Sequence, residues 1–258
     1  MSVDTRACVL VFAGLDPSGG AGLAADQQAI AGQGAHALSV CTALTVQDND
    51  RVFAVQPVDA ALVLRQAQVL ADKMTISAVK IGITGSAANA QAIAEFVSRL
   101  RQRQPDLPLV LDPVLASGHG DLLSRDDAAQ ALAPLLPLTT VLTPNGPEAQ
   151  ALSDATQPEM QARNLRARGC HHVFITGGHA DGEEIVNRWH GPGAPREWRW
   201  PRIDGAFHGS GCTLASAIAG QLALGLPTAV ALEHAQHYVY HALRDAYVIA
   251  AGQRIPLR

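Results

Sequence analysis

The chain has 258 residues, of which 48% are apolar and 16% charged, the balance of a folded globular protein with a large core rather than of a disordered chain. The net charge is −4 and no long basic run is present, so the composition argues against binding to nucleic acid through a charged face. Four cysteines, none in a CxxC pair, argue against a disulfide framework or a structural zinc site and favour a reducing, cytoplasmic location.

Short apolar segments alternate with longer helical patterns along the whole chain. The sequence predicts strands at residues 8–13, 38–46, 78–81, 109–111, 140–142 and 172–175. It predicts helices at residues 22–32, 59–71, 87–103, 125–135, 159–168, 211–224 and 228–250. Because strands that alternate with helices form right-handed βαβ units, we expect an α/β fold with a central, mostly parallel sheet flanked by helices.

Residues 184–200 break this alternation. Two segments, 184–189 and 196–200, flank the sequence Gly-Pro-Gly-Ala-Pro, and residues 197–200 alternate polar with aromatic side chains. This pattern predicts an antiparallel hairpin at the edge of the sheet. No repeat, low-complexity tract or shift in composition marks a boundary, so we expect a single domain over residues 1–258.

No segment predicts export or insertion into a membrane. The apolar stretch 7–13 is too short for a signal peptide. Residues 212–232 carry no charge, but Gln221, Gly225 and Pro227 interrupt them, and Gly-Leu-Pro is typical of one helix end followed by a helix start. We therefore expect two buried helices here and no membrane partner.

The first candidate ligand loop is Gly14–Gly22, which reads GLDPSGGAG between a predicted strand and a predicted helix. Glycines let a backbone approach a ligand closely, and the start of a helix offers free N–H groups. The loop matches neither G-x-G-x-x-G nor a P-loop, so nucleotide binding does not follow from it. A tight strand-to-helix connection without a ligand is the alternative.

The second candidate loop is FHGSGCT at residues 207–213, which leads into an apolar helix. Gly209, Ser210 and Gly211 can direct several N–H groups towards one anion, with the helix dipole adding to the attraction. Cys212 falls in the first turn, where the dipole lowers the pKa of a thiol and makes it a candidate base or nucleophile. A simple helix start with a buried cysteine is the alternative.

Three weaker signals follow predicted strands. Asp112 comes directly after the strand at 109–111, Asn145 and Glu148 follow the strand at 140–142, and Thr176 with Gly178 follows the strand at 172–175. Because open α/β sheets bind ligands at the carboxyl ends of their strands, these residues are expected at one edge. The carboxylates could hold Mg²⁺ through water, although Asp-Pro and Pro-Asn are also ordinary turn sequences.

The order of these motifs is similar to that of one family. In chain order the motifs are AGLDPSGGAG followed by Asp26, LTVQ ending at Gln47, KIG at 80–82, LDPV at 111–114, TPN at 143–145 with Glu148, GGH at 177–179, and HGSGCT. Over roughly residues 7–250 they resemble the hydroxymethylpyrimidine/phosphomethylpyrimidine kinases of thiamine biosynthesis, in the ribokinase-like superfamily. Each motif alone is weak, whereas the first and the last are specific as a pair.

The resemblance implies a ribokinase-like fold and the use of ATP and Mg²⁺ to phosphorylate 4-amino-5-hydroxymethyl-2-methylpyrimidine and then its monophosphate. It implies a pyrimidine site at Gly14, Ala21 and Gln47 with Asp26 nearby, an anion hole at Gly209, Ser210, Gly211 and Cys212, nucleotide contacts at Asn145, Thr176 and Gly178, and a metal site at Asp112 and Glu148. In this family pattern Cys212 is the catalytic base. The carboxamide of Gln47 suits its role, since it can both donate to and accept from an aminopyrimidine edge.

Three positions depart from the family pattern. Thr176 stands where lysine is usual, Ile83 where methionine is usual, and Asp50 where a small hydroxyl residue is usual. These changes leave the prediction of a kinase in place and bear on the substrate and on the second phosphorylation. The alternatives are a pyridoxal kinase of the same superfamily and a nucleotide- or vitamin-binding protein without catalysis. We also expect a homodimer, in which the last predicted helix, rich in histidine and tyrosine, could contact the partner.

Overall fold

The computed structural model describes residues 5–115 and 128–258. The strands in these ranges are β1 (Cys8–Leu15), β2 (His36–Gln47), β3 (Val52–Pro57), β4 (Ile76–Ile81), β5 (Leu109–Leu111), β6 (Val141–Leu142), β7 (His172–Ile175), β8 (Glu184–His190) and β9 (Arg196–Pro201). The α-helices are α1 (Gly22–Gly32), α2 (Ala60–Lys73), α3 (Ala87–Arg103), α4 (Ala128–Ala131), α5 (Gly146–Ser153), α6 (Pro158–Ala167), α7 (Ser210–Ala223) and α8 (Thr228–Arg244), and a 3-10 helix spans Leu136–Leu138.

All nine strands belong to one sheet in the order β3-β2-β1-β4-β5-β6-β7-β8-β9. The strands from β2 to β7 in this order pair in parallel, while β3 pairs antiparallel at one edge and the β8–β9 hairpin pairs antiparallel at the other. The expected α/β fold, with a mostly parallel sheet and an antiparallel edge hairpin, is confirmed. The chain reverses its direction across the sheet beside β1, and such a switch point opens a crevice at the carboxyl ends of the strands.

Helices cover both faces of the sheet, and β1 shows how the sequence produces this. Its residues alternate between the faces: Leu10 and Phe12 join the core beneath α2, α3 and α6, whereas Val9 and Val11 join the core beneath α1, α7 and α8. Because both faces are buried, the strand is apolar at every position instead of alternating with polar residues.

The helix starts differ in how their free N–H groups are satisfied. Asp59 caps α2 by accepting from the backbone N–H groups of Ala61 and Leu62, and Ser86 caps α3. Asn145 and Glu148 form a reciprocal capping box at α5. The helices α1 and α7, which begin at the two glycine-rich loops, have no side-chain cap.

The structure differs from the sequence predictions at four elements. The last helix ends at Arg244 rather than at residue 250, because the following chain turns back and Tyr247 pairs with Ile255. Strand β3 and helix α5 were not predicted. Of the helix predicted at 125–135, residues 125–127 lie outside the described residues; in the remainder α4 ends at Ala131, because Pro134 and Pro137 cannot donate helical hydrogen bonds.

The uncharged stretch 212–232 is part of α7 and α8, joined at Gly225, whose φ of +82° ends α7 as predicted. In the ranges that the structure describes, no helix combines the length and the apolar character needed to cross a bilayer.

Candidate active site

A cavity of about 580 Å³ opens at the carboxyl ends of the parallel strands, beside the switch point. The ends of β1, β5, β6 and β7 form its floor, and the connection from β9 to α7 forms one wall. A cavity of this size suits a small molecule together with a nucleotide.

Nearly all residues predicted for the site line this one cavity. Those in its wall are Gly14, Ala21, Gln47, Asp112, Asn145, Glu148, Thr176, Gly178, Gly209, Ser210, Gly211 and Cys212. They come from segments spread over most of the chain, and the parallel sheet brings them together by placing its strand ends at one edge. Asp26 is the exception.

Asp26 lies beneath the cavity floor in a fully buried ion pair. Its two carboxylate oxygens accept from Nζ of Lys80 at 2.9 and 3.0 Å, and the hydroxyl of Ser216 donates to the same carboxylate at 2.6 Å. Asp26, expected near the pyrimidine, is therefore placed below the cavity rather than in its wall, and its charge is already paired inside the protein. Lys80 also lies 3.9 Å from Oδ2 of Asp112, so this buried pair supports the floor from below.

Two carboxylates at the cavity floor have raised pKa values. Burial raises the pKa of Asp112 to about 6, although the charge of Lys80 opposes the shift. Burial and the nearby charge of Asp112 raise the pKa of Glu148 to about 8. In the described ranges no hydrogen bond reaches Oδ2 of Asp112. Keeping Asp112 and Glu148 ionised therefore costs free energy, and a bound cation would lower this cost.

Cys212 lies half-buried in the first turn of α7, as the sequence predicted, but its ionisation differs from the expectation. Burial raises the pKa of the thiol to about 12, and the carboxylates of Asp112 and Asp26 add to the rise while Lys80 opposes it. The expected lowering of the pKa by the helix dipole is therefore wrong for the ligand-free chain, because loss of solvation and nearby negative charge outweigh it.

The start of α7 is shaped to present backbone N–H groups. Gly209 adopts a φ of +75°, and a Cβ atom there would collide with the carbonyl oxygen of Gly20. Only glycine combines this left-handed conformation with such a close approach. With no side chain capping the helix, the N–H groups of its first turn are free to bind an anion.

The two glycine-rich loops are joined to each other directly. Nε2 of His208 and Oδ2 of Asp16 lie 2.8 Å apart, and Asp16 also accepts from the backbone N–H of Ala21 at 2.7 Å. Burial alone would raise the pKa of Asp16, but hydrogen bonds from His208 and Ser18 lower it to about 2. The carboxylate of Asp16 therefore acts as a charged brace between the first loop and the anion-binding loop.

Thr176 and Asn145 lie side by side at the other end of the cavity. They form a parallel bridge beyond β6 and β7, and the N–H of Thr176 donates to the carbonyl of Pro144 at 2.9 Å. Arg202 lines the cavity here, and its Nη1 donates to the carbonyl of Gly178 at 3.1 Å. The guanidinium of Arg202, a permanent cation, therefore contacts Gly178, which follows the neutral Thr176 by two positions.

Aromatic side chains close this end. The rings of Trp200 and Tyr240 lie 5.3 Å apart, and both residues line the cavity. Nε1 of Trp200 donates to Oε1 of Gln236 at 3.0 Å, and Nδ2 of Asn187 donates to the same oxygen at 2.9 Å. Flat, mostly apolar walls of this kind suit a planar heterocycle.

Several wall residues were missed by the sequence reasoning. Asp16 and His208 belong to the two glycine-rich motifs. Their positions, directly after β1 and shortly before α7, could have identified them as site residues. Trp200 and Tyr240 carry no local signal, since an aromatic residue in a hairpin or a helix is more often part of the core.

The family model described as phosphomethylpyrimidine kinase matches residues 16–256. A hydroxymethylpyrimidine/phosphomethylpyrimidine kinase of Rhizobium meliloti (strain 1021) is 35% identical over 255 residues, which cover 96% of this chain and 94% of the relative. The chain belongs to the phosphomethylpyrimidine kinase family.

Solved structures agree with this membership. The phosphomethylpyrimidine kinase of Clostridium difficile 630 superposes on this family member with a TM-score of 0.78 at 31% identity, covering 92% of this chain and 100% of that one. An ADP complex of Bacillus subtilis pyridoxal kinase gives a TM-score of 0.85 at 26% identity, with 98% and 97% covered. The same fold therefore carries both kinase activities.

Proposed function

We propose that this chain is an ATP-dependent kinase that phosphorylates the hydroxymethyl group of 4-amino-5-hydroxymethyl-2-methylpyrimidine and then the resulting monophosphate, in thiamine biosynthesis. One observation carries the proposal: a single cavity joins an uncapped helix start, a thiol and the carboxylates of Asp112 and Glu148 to the carboxamide of Gln47. Phosphoryl transfer needs mainly positioning and neutralisation of charge, and this combination supplies both.

The pyrimidine is proposed to bind at Gly14, Ala21 and Gln47. Gln47 lines the cavity, where its carboxamide can pair with the ring. Gly14 lets the ring approach the end of β1, and Ala21 keeps the start of α1 open. The amide can accept from the exocyclic amine of the substrate while donating to a ring nitrogen.

Transfer of the phosphoryl group is proposed to occur at the start of α7. The N–H groups of residues 209–212 would bind the oxygens on which negative charge gathers. Cys212, as its thiolate, is proposed to accept the proton of the substrate hydroxyl while the hydroxyl oxygen bonds to the γ-phosphorus and the bond from that phosphorus to the departing ADP breaks. Its raised pKa in the free chain means that this role requires the nearby carboxylate charge to be offset when the substrates are bound.

The residues present fit a magnesium ion. In the described part of the chain no group of three or more metal-binding side chains converges. Mg²⁺, however, usually keeps several waters and binds through one or two carboxylates together with substrate phosphates. Asp112, whose buried Oδ2 accepts no hydrogen bond, and Glu148 would hold it in this way. When bound, the ion would supply positive charge that offsets these carboxylates and the triphosphate.

The nucleotide is proposed to extend from this point towards the hairpin. Asn145, Thr176 and Gly178 would contact its phosphates, and the flat wall of Trp200 and Tyr240 suits its base. The solved ADP complex of the pyridoxal kinase supports a nucleotide site in this fold.

We propose that the first phosphorylation is the more efficient one. The second must hold a phosphate dianion beside ATP, and Thr176 offers only a neutral hydroxyl where the family pattern has a lysine. Lys80 does not fill the gap, since it is fully buried on Asp26. Arg202 lines this end, although its guanidinium also holds the carbonyls of Gly178, Ala180 and Gly182.

The experiment is a coupled ADP-release assay with hydroxymethylpyrimidine, its monophosphate, pyridoxal and pyridoxine. We expect kcat/KM to be highest for hydroxymethylpyrimidine. A higher value for pyridoxal would identify a pyridoxal kinase, the candidate favoured by the 0.85 TM-score. Binding of the heterocycle and of ATP without release of ADP would identify a non-catalytic vitamin-binding protein.

A cytoplasmic location and a homodimer belong to the same proposal. All four cysteines are free thiols, which suits a reducing compartment.

The homodimer is proposed to form through α8. Two of the ring side chains of this helix already make contacts within the chain, since His237 and Tyr240 pack on Trp200. Sedimentation analysis would test the dimer.

A further inference from the structure

Arg258, the last residue of the sequence, reaches back to both glycine-rich loops. Its Nε donates to Oγ1 of Thr213 at 2.8 Å, and its Nη2 donates to the carbonyl of Gly20 at 2.6 Å. The same Nη2 lies 3.4 Å from the carbonyl of His208 and 3.5 Å from that of Gly209. One guanidinium therefore contacts the first loop, the anion-binding loop and the first turn of α7.

The segment that carries Arg258 is itself held in place. Ile255 is buried and pairs with Tyr247, while Arg254 pairs with Phe207 beside the anion-binding loop. The N–H of Leu257 donates to the carbonyl of Ala242 in α8 at 2.9 Å. These contacts fix the backbone that leads up to Arg258, so little conformational freedom is lost in placing its guanidinium.

The contacts of Arg258 control the direction of one peptide group. The carbonyl of Gly209 accepts from the N–H of Thr213 at 2.9 Å and from its hydroxyl at 2.7 Å, and that hydroxyl is the group to which Arg258 donates. A trans peptide directs its N–H opposite to its carbonyl. Fixing the Gly209 carbonyl on the Arg258 side therefore turns the N–H of Ser210 the other way.

The hydrogen bonds of the Arg258 guanidinium go to neutral oxygens. Within the described ranges its acceptors are the hydroxyl of Thr213 and backbone carbonyls, and its Nη1 is buried without a hydrogen-bond partner. Arg258 is absent from the cavity wall, so it does not touch the ligand itself. A partly buried cation behind a set of N–H donors strengthens their attraction for an anion.

We propose that Arg258 is a positioning residue for phosphoryl transfer: it orients the peptide groups at the start of α7 and places a positive charge behind them. The inference rests on the proposed kinase function. It identifies a third element of the active site, formed by the end of the sequence, besides the two glycine-rich loops.

The test compares Arg258→Met and Arg258→Lys with the wild type. Loss of charge-assisted hydrogen bonds predicts a fall in kcat of about 10- to 100-fold for Arg258→Met with the KM for hydroxymethylpyrimidine changed less than about threefold. Arg258→Lys keeps the charge but not the two-pronged geometry, so we expect a loss of about 3- to 10-fold. Added guanidinium ion, at concentrations below those that unfold the protein, should restore part of the Arg258→Met activity.

A binding measurement separates this inference from the kinase proposal. Calorimetry with AMP-PCP and with adenosine requires no turnover, and Arg258→Met should weaken AMP-PCP binding at least fivefold while adenosine binding stays within about twofold. Arg244→Met is the matched control, since Arg244 is exposed and, in the part of the chain that the structure describes, its ion-pair partner is its neighbour Asp245. It removes the same charge without touching either loop.

Two results would overturn the proposal. One is an Arg258→Met protein that binds AMP-PCP and turns over as the wild type does. The other is an equal loss of AMP-PCP and adenosine affinity with a lowered Tm and no rescue by guanidinium, which would assign Arg258 a purely structural role. If Arg258→Met does not fold, the ratio of AMP-PCP to adenosine affinity in Arg258→Lys decides: an unchanged ratio contradicts the proposal.

Discussion

The floor of the cavity and its hairpin end use the same kinds of charged residue in opposite surroundings. At the floor Lys80 and Asp26 form an ion pair with both side chains fully buried. On the β8–β9 hairpin Arg199 and Glu184 form a pair in which the side chains are 59% and 56% exposed. Desolvation makes a broken buried pair costly, whereas water and salt screen the exposed one. The floor is therefore sensitive to single substitutions, and the hairpin is tolerant of them.

The largest expected effect is at the floor, on catalysis. Cys212→Ala should lower kcat by about 10²- to 10⁴-fold, the usual size of a general base, with the affinity for substrate largely kept. Steady-state kinetics with saturating ATP measure this. A fully active Cys212→Ala protein would show that the cysteine is structural.

Breaking the buried pair tests the stability side of the comparison. Lys80→Met leaves Asp26 and Asp112 without their cation, and we expect the free energy of unfolding to fall by about 3–5 kcal/mol. Arg199→Met, its control on the hairpin, should cost less than about 1 kcal/mol. Urea unfolding of both variants measures the difference, and equal costs would contradict the contrast between the two regions.

Gln47 tests recognition at the substrate side. Gln47→Leu leaves the polar edge of the pyrimidine unpaired, at about 1–3 kcal/mol, so kcat/KM should fall about 5- to 150-fold for hydroxymethylpyrimidine. An analogue without the amine should lose less. An equal loss for both compounds would count against a direct contact between Gln47 and the amine.

At the start of β7, on the side of the sheet away from the cavity, His172 predicts a dependence of stability on pH. This residue of β7 is buried and accepts a hydrogen bond from Nε1 of Trp189 at 3.3 Å, and burial lowers its pKa to about 4. Because the unfolded chain binds this proton at a pKa of about 6.5, stability should fall by about 2–3 kcal/mol as the pH drops from about 6.5 to about 4. His172→Gln should remove this part of the pH dependence; identical slopes in both proteins would refute the assignment.

The smallest effect is expected at Thr176. Thr176→Lys adds a cation at the phosphate end, so it should raise kcat/KM for the monophosphate by a few fold, about 2- to 10-fold, and leave the first phosphorylation nearly unchanged. The wild type should be more efficient in the first step than in the second. Comparable efficiencies that the lysine does not alter would show that another cation, with Arg202 the candidate in the wall, already serves the second step.

Local sequence pattern determined most of the fold. Strands buried on both faces must be apolar throughout, so β1, β5 and β7 stood out, and glycine-rich loops marked the starts of α1 and α7. The half-exposed strand β3 lacks such a pattern, because one side of it faces solvent. It depends on pairing with β2, which single-sequence reasoning does not detect.

Most of the residues that line the cavity could also be predicted from the sequence, because parallel strands place the residues that follow them at one edge of the sheet. Only the tertiary structure decided how those groups are charged and braced. The sequence placed Cys212 in a helix dipole, but its burial beside Asp112 raises its pKa. Asp26 turned inward to Lys80, and Arg258 reached two loops more than two hundred and about fifty residues away in the chain. Desolvation and long-range contacts depend on what the fold places around a group, and a linear sequence carries no record of those neighbours.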